Sequence, residues 1–179
     1  AFEAAWKTAD AGRADVTGER AKDGRVELTA MLDGLELAPF APLAGEGRRI
    51  EGRATGEVSL ALVDGALARV DSDLAIASAR YADDRIDAKG KLDLAVGLEG
   101  AGEDAPVRIQ AVFAPESGGR VDANGTGKLG GAVRGALRFD AFDVAPFAPL
   151  LPEGTAFSGK LTGELELETT DEREIASLA

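Results

Sequence analysis

The 179-residue chain contains no cysteine and no histidine. That removes the thiolate nucleophile, the imidazole base poised near neutral pH, and the ligands that dominate zinc and haem sites. Catalysis would rest on carboxylates, hydroxyls and lysines alone. The lack of cysteine is silent on compartment, because oxidising and reducing environments both hold disulfide-free chains. Basic residues are outnumbered: 20 Lys and Arg against 32 Asp and Glu leave a formal charge of −12. Such a balance disfavours a grip on nucleic-acid phosphates or on an anionic bilayer surface. Aromatics are few, with one Trp and one Tyr, too few for the stacking platforms of a carbohydrate cleft. No stretch approaches the ~18 apolar residues of a membrane-spanning helix. The opening residues, AFEAAWKTAD, carry neither a basic nor an apolar leader segment. The expectation is that the chain starts in mid-pattern, with any targeting segment or anchor outside it.

What the chain does contain is a segment written twice. Residues 35–61 (LELAPFAPLAGEGRRIEGRATGEVSLA) return as residues 142–168 (FDVAPFAPLLPEGTAFSGKLTGELELE). Subtracting Pro39 from Pro146 gives an offset of 107, and the same offset carries Gly47 to Gly154, Gly52 to Gly159, Gly56 to Gly163 and Leu60 to Leu167. Prolines and glycines held in one spacing mark a supersecondary module stacked on itself, whose ends presume further copies. The chain is therefore read as one continuous repeat-type β domain over residues 1–179.

The apolar period is two almost throughout. From Arg85 to Leu98 one face carries Ile86, Ala88, Gly90, Leu92, Leu94, Val96 and Leu98, and the other is mostly charged. Similar alternation predicts strands over residues 26–32, 50–62, 107–113, 133–139 and 157–167, with weaker patterns over 2–8, 14–18, 66–78 and 121–129. That makes about ten strands in an antiparallel meander, with Asp23-Gly24 and Asp64-Gly65 as hairpin turns. The repeated APFAPL (38–43 and 145–150) interrupts the pattern. Its prolines cannot donate to a ladder, so each copy reads as a short crossover or helical turn carrying Phe40 or Phe147 as an apolar plug. Thr169 followed by Glu172 resembles a capping box, which predicts a short C-terminal helix or a frayed end.

One strand face is apolar but built largely from small residues. In a closed sandwich two such faces interdigitate in a dry core ~10 Å thick. Here Gly52, Ala54, Gly56, Gly125, Gly127, Gly159 and Gly163 leave much of that volume unfilled, and glycine inside strands marks curvature or a close approach. Residue pattern alone leaves two architectures open: a closed core, or a strongly curved sheet with an apolar concave surface.

Several motifs are set aside on physical grounds. Gly125-Thr-Gly127-Lys-Leu-Gly130 spells the dinucleotide fingerprint, but another strand follows it where a helix N-terminus is required. Asp122, Asn124 and Thr126 begin a calcium-type loop that has Val133 where a bidentate Glu belongs, and Asn124-Gly125-Thr126 is a sequon by pattern only. The pairs Asp71/Asp73 and Asp83/Asp84 suit solvated faces and loops better than a glycosidase cleft. No catalytic, cofactor or metal residues are assigned, and an enzyme is not expected.

The unit formed by a strand, then [L/F]-[D/E]-[L/V]-A-P-F-A-P-L, then small residues and spaced glycines, resembles the repeat of the TamB family and, more distantly, AsmA-like envelope proteins. Residues 142–167 carry it most fully; residues 35–60 carry it with Ala44-Gly45 in place of Leu151-Pro152. The resemblance implies a periplasmic protein anchored in the inner membrane, built of β-modules that form an open, taco-like groove with an apolar concave face. It further implies transfer of phospholipid toward the outer membrane and, with a TamA-like outer-membrane barrel, assembly of outer-membrane proteins. Acyl chains would lie on Ile86, Leu92, Leu94, Val96, Leu98, Ile109, Phe113, Leu137, Phe139, Leu161, Leu165 and Leu167. Two other readings stand beside this one: a chaperone-like scaffold that binds outer-membrane strands by β-augmentation, and a passive spacer across the periplasm.

Overall fold

A computed structural model of the chain describes residues 1–7, 12–44, 47–83, 87–100, 102, 104–129, 131–150, 158–169 and 175–178. Among these described residues the alternating segments form eleven strands in a single sheet, in strict chain order and antiparallel throughout. They are β1 (Phe2–Lys7), β2 (Arg13–Arg20), β3 (Val26–Glu36), β4 (Arg49–Val63), β5 (Ala66–Ala82), β6 (Asp87–Glu99), β7 (Pro106–Pro115), β8 (Arg120–Lys128), β9 (Val133–Asp143), β10 (Lys160–Thr169) and β11 (Ile175–Leu178). Two short 3₁₀ helices, Ala38–Ala44 after β3 and Ala145–Leu150 after β9, are the repeated APFAPL segments. Asp64 and Gly65, both at positive φ (51° and 80°), make the two-residue β4–β5 turn, whose twist matches that of the flanking strands.

The end of the chain departs from the helical expectation. Ile175–Leu178 pair with β10 as a strand, with Thr169 opposite Ile175 and Leu167 opposite Leu178. Thr169, the intended cap, is the last residue of β10 and already committed to the ladder. The unpaired edge of β10 offers each incoming backbone group a partner, which an isolated helical turn of this length lacks. Glu172 lies outside the described residues, as do Ile86 and Asp84.

The repeat extends well beyond the segments that share identities. β2, β3 and the first 3₁₀ helix begin at Arg13, Val26 and Ala38; β8, β9 and the second begin at Arg120, Val133 and Ala145, 107 residues on in each case. All eight Cα pairs of β2 with β3 recur between β8 and β9 at that offset. Individual hydrogen bonds recur too. Gly34 N–H donates to Thr55 Oγ1 at 3.1 Å, and Ala141 N–H to Thr162 Oγ1 at 3.1 Å. Leu37 N–H donates to Gly52 O, Val144 N–H to Gly159 O, Phe40 N–H to Leu37 O and Phe147 N–H to Val144 O. The repeating unit is thus six strands and one 3₁₀ helix.

Among the described residues no second layer covers this sheet. A globular monomer of this mass exposes about 8,200 Å² by the usual scaling, whereas this chain exposes 11733 Å². Buried apolar residues are mainly alanines, and no large side chain among the described residues is fully buried. Eleven strands exceed what an open, twisted sheet holds without curling, and the fold is accordingly a curved, unclosed sheet. Its buried apolar cluster is Ala54, Ile76 and Ala79, with Leu32, Leu37 and Leu92 packed against them. That cluster sits where the pairing slips by bulges in β3 and β5, and bulges bend a strand and add twist.

Candidate functional site

Strand register places the apolar residues in continuous rows across the sheet. One row runs Ala4, Val16, Ala30, Val58, Ser72, Val96, Ile109, Gly125, Gly135, Leu167 and Leu178, one residue from each strand. Its one polar member, Ser72, is tied to the ladder, its hydroxyl accepting from Val96 N–H at 3.1 Å. The adjacent row contains Leu32, Gly56, Leu74, Leu94, Ala111, Ala123, Leu137 and Leu165. A third joins Leu35, Ala54, Ile76, Leu92, Phe113, Val121, Phe139 and Gly163. On the far side Leu98 lies between Val70 and Val107, and Leu161 lies opposite Phe142 beyond the β9 bulge. No row carries a charge.

Every described lining candidate is therefore on one face. Leu92, Leu94, Val96, Phe113, Leu137, Phe139, Leu165 and Leu167 are half-buried, and Ile109 and Leu161 are 38% exposed. Leu98 is nearly closed off at 4% and offers little surface to a ligand.

The curvature brings distant strands together at one place. Leu37, Ile50, Ile76, Ala79, Tyr81, Ala88, Leu92, Phe113 and Phe147, together with Glu51 and Arg80, line an open, largely apolar recess of about 370 Å³. Phe147 belongs to the 3₁₀ helix between β9 and β10, yet it faces residues of β4 to β7. Its ring also lies 5.3 Å from that of Phe142, which in turn is 5.7 Å from Phe139. Phe40, the equivalent position in the first copy, is half-buried. Leu37, Ile50, Ile76 and Tyr81 were not among the sequence candidates. Ile50 could have been found from its place in the even-numbered alternation, but Leu37 precedes a proline segment and only the fold shows which way it faces.

The opposite face is ionic. Arg13–Asp15 and its repeat equivalent Arg120–Asp122 are paired within their strands, and Arg134–Glu168 and Arg138–Glu164 cross between β9 and β10. Arg80 bridges Asp87 at 2.8 Å and Glu51 at 3.3 Å. The donated hydrogen bond from Arg80 holds the Asp87 carboxyl below its ordinary range, and Lys128 does the same for Asp104. The motifs set aside on sequence lie on the polar surface or within strands. Gly125 to Lys128 is extended β8 with no helix following it, Asp71 pairs with Arg69, and Asp83 accepts from the Tyr81 hydroxyl at 3.2 Å. No helix among the described residues is long and apolar enough to cross a membrane.

Fold and faces together define an open antiparallel half-pipe, apolar inside and ionic outside. No protein-family model matches the chain, and no curated protein or solved structure is significantly similar to it.

Proposed function

We propose that the chain is a non-enzymatic segment of a lipid-carrying groove, in which phospholipid acyl chains lie along the concave face while head groups stay at its hydrated rim. The observation that carries this reading is the apolar face itself: among the described residues it runs without a charge across the sheet, and no second layer of strands or long helices covers it. Each methylene that leaves water contributes about 0.8 kcal/mol, so a trough lined by Leu, Val, Ala and Gly holds a tail without any directional contact. Small, smooth linings also offer few places for a tail to lodge, which favours movement over retention. The resemblance to TamB-like repeats supports the same reading. It extends the proposal to a periplasmic bridge, anchored in the inner membrane and working with a TamA-like outer-membrane barrel in outer-membrane protein assembly.

The test is native mass spectrometry of the chain purified under mild conditions, beside Leu94→Asp and Leu165→Asp variants checked for folding by circular dichroism. Phospholipid on the parent and its loss from the folded variants is the expected outcome. A folded, lipid-free parent monomer would leave the apolar face without this role and favour a spacer.

A further inference from the structure

The exposed edge of β1 is the edge that β7 uses to bind β6. β1 corresponds to β7 at the 107-residue offset: Phe2 to Ile109, Ala4 to Ala111 and Trp6 to Phe113. On their inner sides the two strands make the same pairs, Phe2 with Gly18 and Trp6 with Ala14 in one case, Ile109 with Gly125 and Phe113 with Val121 in the other. On the other side β7 carries β6, with Phe113 opposite Leu92, Val112 opposite Asp93, Ala111 opposite Leu94 and Ile109 opposite Val96. β1 stands first in the sheet and has no such neighbour among the described residues. An open row of backbone donors and acceptors is a template for strand addition.

We infer that the β1 edge is a docking site for an extended strand of β6 type, supplied by a neighbouring repeat unit, in the register of the β6–β7 interface. Transferred by the offset, that register sets Trp6 opposite the Leu92 position, Ala5 opposite Asp93, Ala4 opposite Leu94 and Phe2 opposite Val96. The incoming apolar set then continues the concave rows, and its charged set joins the ionic face. A slip of one residue would reverse both, so the edge selects register as well as strand. Lys7 falls opposite the Lys91 position, a like-charge pair that a Glu there converts to an attractive one.

The chain lacks cysteine and has a single tryptophan, Trp6, on this strand, so both probes are selective. The experiment adds a synthetic peptide of residues 87–99 to the full chain carrying Ala5→Cys, with cysteine placed in the peptide at position 93 or at position 95. Disulfide capture several-fold faster at 93 than at 95, a shift of the Trp6 emission on binding, and tighter binding by the Lys91→Glu peptide are expected. Equal capture at 93 and 95, or equal capture of a scrambled peptide, overturns the proposal. Neither result depends on whether the concave face binds lipid.

Discussion

Gly56 and Gly163 hold the same place in the two copies, and both adopt positive φ, 141° and 155°. Their surroundings differ. A Cβ on Gly56 would lie 2.0 Å from Asp73 O of the neighbouring β5, whereas one on Gly163 would meet nothing within 4 Å. Gly163→Ala should therefore cost only backbone strain, on the order of 1–3 kcal/mol, and Gly56→Ala should cost more because β5 must also shift. Urea midpoints of the two variants would check the order. The ion pairs give a second residue-scale expectation. Asp87 and Asp104 titrate below the carboxylate value of 3.8 in the folded chain because of Arg80 and Lys128. The stabilisation from each is present above 3.8 and is lost as pH falls below it, through the folded value. Both carboxylates are solvent-exposed, so salt screens the effect. Urea titrations from neutral to acid pH should show Asp87→Asn losing less stability than the parent across that window, with the difference shrinking at high salt.

Among the elements, the bulged end of β3 and its copy in β9 form one device built twice. Gly34 sits at φ 60° in the first copy and Ala141 at φ 47° in the second, each donating its N–H to a threonine hydroxyl on the next strand. A left-handed conformation costs a residue bearing a Cβ roughly 1–2 kcal/mol, and glycine returns roughly 0.5–1 kcal/mol through the freer unfolded chain. Ala141→Gly should then stabilise the protein by about 0.5 kcal/mol, seen as a raised denaturation midpoint with unchanged slope. This device also shows what the sequence made legible. The strands were readable because Leu, Val and Ile alternate with charge, and the 3₁₀ helices because APFAPL recurs letter for letter. The recurrence of β1 and β2 as β7 and β8 was hidden. Phe2 and Trp6 became Ile109 and Phe113, preserving apolar character and losing identity, and within these strands only Ala4, Arg13, Asp15 and Gly18 survive, as Ala111, Arg120, Asp122 and Gly125. Whether the apolar face was closed or open was beyond pattern altogether, since small residues suit both. The recess was equally out of reach, because it unites β4 and the second 3₁₀ helix through curvature.

At the scale of the molecule the repeat does not stack squarely. Following paired residues from Trp6 across the sheet leads to Ala111 on β7, while the equivalent of Trp6 is Phe113. Each six-strand period therefore slips by two residues, about 7 Å along the strand, and the groove runs obliquely to the strands. A period defined this sharply should accept insertion. Gly12 and Gly119 correspond at the same offset, so a second copy of residues 13–119 placed after Gly119 is followed at its own end by Arg120, as in the parent. Such a chain should form 17 strands, the parent's eleven plus the six of one period. In a structure whose units contact only their neighbours, stability adds by unit and interface, so the midpoint should be no lower than the parent's. Circular dichroism per residue should be unchanged, and hydrogen exchange should show one protected bulge region more. The concave face would lengthen by one period and gain a second recess, with the inserted Phe40 position taking the role of Phe147. Lipid bound per chain should rise in proportion to the lengthened face if that face carries lipid. A folded insertion whose lipid load stays at the parent's would tie binding to the chain ends instead, whereas an aggregated or molten product would show that 107 residues is not an independent structural period.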